Sequence, residues 1–310
     1  MSYVLKSLVV VLVLAGQVAH ADEPVTLKPI WKPGAKTRVH VEVTTKQLLT
    51  LAGMGLPTDN EVFTIMQVSH GERQADGSVE VVHTVDQLQA NLKLPMGLEV
   101  SFDTGNPDQP AQVPGLQGFI ELFKATSEAK TTYTISKDGK LRDVKVENLD
   151  ISRIPEEYRS TITPKGLRKE HETANAFLPD SPVKVGDTWD AESELDLGGG
   201  QTMTFTTAYE YKGTVKREGK TLHQIAGTTK SVAYSATGAL PGGLKYENSD
   251  LSIADSKEEY LFDAENGYAV VRNSHVQIKG DIAFSINGVD LPGTLDLTFG
   301  QKLKTESVLE

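Results

Sequence analysis

The sequence predicts an all-β protein, mainly antiparallel with a few short helices, built as two similar twisted-sheet or partial-barrel lobes from an internal duplication. Three observations predict it. Apolar residues recur at every second place in segment after segment, the pattern of strands with one buried and one wet face. Glycine-centred turns separate these segments, as in Ala75–Gly77, Lys137–Gly139, Arg217–Gly219, Glu265–Gly267 and Asn287–Gly288. Finally, WKPGAKTRVHVEV (Trp31 to Val43) is partly echoed by LPDSPVKVGDTWD (Leu178 to Asp190), each placing a Lys-x-Gly turn beside a strand entry.

In chain order the first element is a leader. MSYVLKSLVVVLVLAGQVAHADEP combines Lys6, an apolar run from Leu8 to Ala15, and small residues at Ala19 and Ala21. This is the pattern of a cleavable secretory signal over residues 1–21, with cleavage expected before Asp22. The run is shorter than the about 20 residues that span a bilayer. The sequence contains no cysteine, so no lipid-bearing cysteine and no disulfide are available. The expected product is an exported bacterial protein of the periplasm or extracellular space, with no membrane span.

Residues 22–150 form the first expected lobe. Arg38–Val43, Gly77–Val85, Thr131–Ser136 and Leu141–Leu149 alternate and are rich in Val, Thr and Tyr. An apolar loop is expected from Leu48 to Asn60, and Pro114–Ala129 spaces Leu116, Phe119, Ile120 and Phe123 as a short amphipathic helix. Residues 151–182 read as a helical linker, one or two helices with Pro155 at a start and Pro164 as an interruption. Residues 183–310 form the second lobe, with alternation in Gln201–Gly213, Gly267–Gly280 and the final segments.

The halves echo one another beyond their openings. A hairpin turns at Asp76-Gly77 or Glu218-Gly219, a Lys-x-x-Tyr strand follows (Lys130–Tyr133, Lys257–Tyr260), and a glycine turn closes each (Gly139, Gly267). Duplication predicts that about Leu27–Asn148 superposes on about Val183–Leu303, with Trp189 buried near its own sheet. Two unrelated β domains sharing common turn residues would give part of the same pattern.

Leu178, Pro179, Pro182, Val183, Val185, Gly186, Asp187 and Trp189, after a leader and a β-rich first half, resemble a family of uncharacterised secreted bacterial proteins, a domain of unknown function. That resemblance implies no activity. More distantly, a curved antiparallel sheet with a helix laid against it is similar to the half-barrel carriers of lipoproteins and lipids, an analogy of fold alone.

The composition excludes some functions. A formal charge of −11 with no basic run repels phosphate backbones, so nucleic acid is not an expected partner. Nucleophile motifs are lacking: there is no G-x-S-x-G, and Ser181–Lys184 and Ser127–Lys130 match S-x-x-K without the further motifs that accompany it. His40 and His83 are expected to face outward on strands. His70 precedes a turn glycine, and His171 in KEHE is expected on a solvated helix face. No pair has metal-ligand spacing, so a zinc site would need convergence that the sequence does not display. Asp103, Asn106 and Asp108 read as an Asx turn rather than a calcium loop. No catalytic residue, metal or cofactor is expected.

What stands out is apolar residues among turn formers, in Leu51–Pro57, Leu92–Leu98, Val113–Phe119 and Gly238–Leu244. Such segments either cover the sheet as core or line a binding surface. The expected groove comprises Leu51, Met54, Leu56, Leu94, Met96, Leu98, Phe119, Ile120 and Phe123, suited to a hydrophobic small molecule or lipid. The expected function is thus a non-catalytic binding or carrier protein. An envelope or cell-surface structural or interaction protein is the second reading, and a hydrolase-type enzyme with a convergent site the third.

Overall fold

Every long alternating segment becomes a strand. The computed structural model describes residues 23–107, 114–238, 240 and 243–308; the expected leader and its cleavage site lie outside them, as does Asp108 of the proposed Asx turn. The first half contains β1 (Lys36–Leu51), β2 (Met54–His70), β3 (Val79–Leu94), β4 (Leu98–Asp103), helix α1 (Gln117–Glu128), β5 (Lys130–Ile135) and β6 (Leu141–Glu147). Two helices follow, α2 (Glu156–Ile162) and α3 (Pro164–Ala174). The second half contains β7 (Thr188–Gly198), β8 (Gln201–Arg217), β9 (Lys220–Ala236), β10 (Lys245–Asp263), β11 (Tyr268–Ile286) and β12 (Val289–Ser307).

All twelve strands belong to one antiparallel sheet, ordered β6-β5-β3-β2-β1-β12-β11-β10-β9-β8-β7, with β4 beside the far end of β3. The two expected lobes are therefore joined edge to edge. β1 pairs with β12 from Thr37↔Ser307 to Leu51↔Gly293. Each half is a meander, and the echoed features hold equivalent lanes. The Gly77 and Gly219 turns join the second lane to the third, and Tyr133 and Tyr260 lie on the fourth, before the Gly139 and Gly267 turns. The apolar loop expected at Leu48–Asn60 is instead the paired tip of the β1–β2 hairpin, because Ala52 and Gly53 both take positive φ and bring Leu51 opposite Met54.

The sheet bends round on itself. α3 packs on β6 at one edge, α2 packs on β7 at the other, and the two helices pack together. Thr163 caps α3 by accepting from the Gly166 amide, and Pro164 starts it. Arg168 donates to the Leu141 and Arg142 carbonyls of β6, and Lys169 pairs with Glu194 of β7. The helices thus occupy the gap between the two sheet edges and satisfy backbone groups that an edge leaves open.

One end of the curled sheet is closed by chain that precedes β1 and β7. Val25 and Val183 exchange backbone hydrogen bonds of 2.9 Å. Leu27, Phe177 and Val183 pack with Tyr209, Tyr211, Ile225, Tyr260 and Phe262. Lys32 Nζ donates to Asn266 Oδ1 at 2.9 Å, latching the N-terminal turn to the β10–β11 turn. Trp189 is half-buried against the same cluster, its ring 5.9 Å from Tyr209.

Gly267 is the tightest point of that latch. It has φ +74°, and a Cβ there would lie 2.0 Å from the Ile30 amide nitrogen. Gly139 has φ +81° but open space around it. Gly267→Ala is expected to destabilise by about 1–3 kcal/mol, against about 1 kcal/mol for Gly139→Ala. Urea unfolding of the two variants measures the difference, and equal losses would mean that Ile30 is not held there.

Candidate functional site

The face carrying the helices and the closing segments is the inner face, and the strand registers align its side chains in rows. Nearest the closed end, one row runs Tyr260, Arg272, Leu303, Val41, Thr64 and Leu88 from β10 to β3. The next runs Glu258, Ser274, Gln301, Val43, Val62 and Ala90, and the third Ser256, Val276, Phe299, Thr45, Asn60 and Leu92. Toward the open end, β12, β1 and β2 continue with Leu297, Gln47 and Thr58, then Leu295, Leu49 and Leu56.

Two cores fill the flanks of this face. On one side Met203, Tyr234, Leu240, Val276, Ile278, Ile282, Phe284, Leu295 and Leu297 form a buried cluster, with Leu49, Leu51 and Phe299 against it. On the other, α1 lays Ile120 on Leu88, Ala90, Leu92, Val100 and Phe102. Between them the inner side chains of β1 and β2 are neither buried nor free. From Val41 through Leu51 on β1, and from Leu56 through Met66 on β2, every inner residue is half-buried.

The nine groove residues expected from the sequence divide among three settings. Leu94, Phe119, Ile120 and Phe123 belong to the core beneath α1, so the helix covers the sheet there rather than flanking an opening. Leu51 and Leu56 lie on the half-buried floor, and Leu98 is half-buried on β4. Met54 and Met96 stand at the open-end tips, 66% and 89% exposed.

The polar side chains of this floor are not among the nine residues expected from the sequence. Glu258 accepts from the Tyr260 hydroxyl at 2.5 Å, and Thr229 Oγ1 lies 3.5 Å from its other oxygen. Arg272 holds its guanidinium carbon 5.2 Å from the Tyr260 ring centroid. Burial pushes the Tyr260 hydroxyl well above its ordinary pKa and that of Tyr209 up to about 12. Both therefore remain protonated at neutral pH. A signal for this group is present in the sequence, since Arg272 and Ser274 are in phase with Val276 and Ile278 on one strand.

A second cluster lies at the closed end of the first half. Here two histidine expectations are corrected. His83 faces inward, because it shares the phase of the fully buried Val79 and Val81, and its ring lies 4.8 Å from Tyr133. His171 is not on a solvated face: it stacks on Tyr133 at 5.0 Å and on Trp31 at 5.8 Å. His70 lies 5.7 Å from Trp31, and its Nδ1 donates to the Lys32 carbonyl. Desolvation, followed by the neighbouring His171 and His70, holds His83 down to about 4; desolvation also lowers His70 and His171. Among the described residues, no three His, Cys, Asp or Glu side chains are grouped to hold a metal ion.

An open hollow of about 900 Å³ lies beside β7, lined by Leu178–Val183, Gly186–Ala191 and the end of α3. The Leu-Pro-x-x-Pro-Val-x-Val-Gly-Asp-x-Trp stretch builds its wall. Lys184 N donates to Asp187 Oδ2, and Gly186 N donates to the Tyr211 carbonyl. Its charged lining is Glu172, Asp180, Asp187 and Asp190. The motif thus has a structural role, turning the chain into β7 and fastening it to β8.

No protein-family model and no curated protein sequence matches the chain. Among solved structures, lipovitellin, described for its lipid–protein interactions, aligns at 12% identity and a TM-score of 0.47, over 91% of this chain and 26% of its own. The chain thus spans about a quarter of the length of that protein. An outer membrane channel from Pseudomonas putida F1 aligns at 7% identity and a TM-score of 0.25, over 92% of this chain and 99% of its own. The β domain of the Bordetella autotransporter BrkA aligns at 9% identity and a TM-score of 0.20, over 87% and 99%.

Proposed function

We propose that the protein is an exported, non-catalytic carrier that holds an apolar or lipid-like ligand on the inner face of its sheet, along the seam of β12, β1 and β2. The observation that carries this reading is the floor between the two cores. Leu49, Leu51, Leu56 and Phe299 lie there half-buried beside Thr45, Gln47, Thr58 and Asn60. Apolar area left partly wet gains about 25 cal/mol per Å² when a ligand removes it from water. The interaction-protein reading relies on open sheet edges, and β6 and β7 are both engaged by helices.

The test is native purification, solvent extraction and mass spectrometry of the extract, with uptake of a fluorescent long-chain probe as the quantitative measure. Thr58→Trp fills the floor at a half-buried site. It is expected to weaken the probe by about tenfold, the equivalent of 1.4 kcal/mol, with the melting transition retained. A wild-type protein that yields no lipid and takes up no probe would falsify the carrier reading.

A further inference from the structure

Six side-chain polar atoms are buried without a hydrogen-bond partner among the described residues, those of Trp31, His40 and Trp189 and three that belong to the rows of the inner face: Arg272 Nε, Ser274 Oγ and Asn60 Oδ1. Buried polar groups are nearly always bonded, so such atoms mark a place where something else completes them. Arg272 and Ser274 occupy the first two rows from the closed end, adjacent on the same face of β11. Asn60 lies in the third row, three strands away on β2.

Arg272 is unusual in a second way. Its guanidinium lies over the Tyr260 ring and its charge also reaches the Tyr209 hydroxyl, but it makes no ion pair among the described residues. A half-buried guanidinium on a partly apolar wall is costly unless an anion meets it. The nearest carboxylate in the rows is Glu258, opposite Ser274. One of its oxygens accepts from the Tyr260 hydroxyl on its own strand, and the other lies 3.5 Å from Thr229 Oγ1 on β9.

Building on the carrier reading above, we infer that Arg272 and Ser274 hold the carboxylate head of a single-chain amphiphile. The guanidinium meets a carboxylate through paired N–H donors, and the Ser274 hydroxyl donates to the same head. The tail runs toward the open end over Phe299, Leu49 and Leu51. From Gln301 to Gly293 on β12 that path is about 26 Å at 3.3 Å per residue, long enough to lay out an extended acyl chain. The closed end, plugged by Leu27 and Phe177 against Tyr260, stops the head from passing through.

The test uses a matched pair of probes, 11-(dansylamino)undecanoic acid and its methyl ester, which differ in head charge and share the tail. Wild-type protein is expected to bind the acid about tenfold more tightly than the ester, the usual scale for one charge-assisted contact. Arg272→Gln should abolish that preference, and a melting transition like that of the wild type shows that the face is still folded. Glu258→Gln, which removes a nearby negative charge, should strengthen the acid. Equal affinity of wild type for acid and ester, a preference that survives Arg272→Gln, or weaker acid binding by Glu258→Gln would each overturn the head assignment and leave the carrier reading standing. Failure of the wild type to bind either probe would remove both.

Discussion

Truncation of Phe262 to alanine is expected to cost about 3–5 kcal/mol, the range for deleting a buried aromatic ring. Phe262 is 0% exposed and lies where three pieces of chain converge: the N-terminal segment through Leu27, the stretch between α3 and β7 through Phe177 and Val183, and β8 to β10 through Tyr209, Tyr211, Ile225 and Tyr260. Phe177 meets it edge-on at 6.2 Å and stacks on Tyr260 at 4.0 Å. β10 ends there with four consecutive buried residues, Tyr260 to Asp263, across a register shift between Leu261 and Phe262. No cysteine is available to share the load. Against the total stability of about 5–15 kcal/mol usual for a domain, such a loss would leave the closed end marginal. Urea unfolding followed by tryptophan fluorescence measures it. A loss below about 1 kcal/mol, the level of an ordinary surface change, would mean that the closing segments do not pack on β10 as described.

How much of this was legible in the sequence differs by element. Period-two alternation located the strands, and Leu116, Phe119, Ile120 and Phe123 located α1, because both signals are local. Turn chemistry was equally readable. Glu218-Gly219 and Asn287-Gly288 carry positive φ at both central residues, as tight hairpins demand. The β1–β12 pairing left no such mark, since any two amphipathic strands of similar length are compatible until the turns on either side fix their register. That pairing creates the seam, and so the candidate floor fell on residues that the sequence offered only as alternation. Leu51 and Leu56 stand out in the sequence among glycine and proline, whereas Arg272 reads as a member of an ordinary strand and Asn60 falls at the end of the loop expected from Leu48. Phase alone would have found Arg272, being even-numbered with Val276, Ile278 and Ile282. The three histidines were invisible for the opposite reason: His70, His83 and His171 are scattered along the chain and meet only through the fold.

Those histidines set the second large effect, a loss of stability on mild acidification. A histidine held below its unfolded value of about 6.5 takes up a proton more readily when unfolded. Stability that is fully present above that value is therefore lost as the pH falls toward the folded value, about 4 for His83. Its shift corresponds to at most about 3 kcal/mol at 1.36 kcal/mol per unit, less to the extent that solvent reaches the half-buried ring. His70 and His171 add to it in the same direction. Charging all three would set like charges around Tyr133 and Trp31, where α3 meets the sheet. Arg168 on the same helix opposes the protonation of His171 and Glu172 favours it. Glu170 works against the trend, because desolvation raises its carboxyl, but its side chain is exposed and its share small. The carboxylates of Asp76 and Glu147, held down to about 2 by their hydrogen bonds, lose their contribution only below their unfolded range of about 4. The window from about pH 6.5 to 4.5 thus belongs to the histidines, and His223, which desolvation also lowers, contributes to it from outside this cluster. The expected result is a urea midpoint that falls steadily across this window in the wild type. In His83→Phe, which keeps a ring against Tyr133, it should fall much less. A wild-type midpoint that is level over the window would show that the cluster is not held neutral, and an equal slope in His83→Phe would assign the effect to other groups.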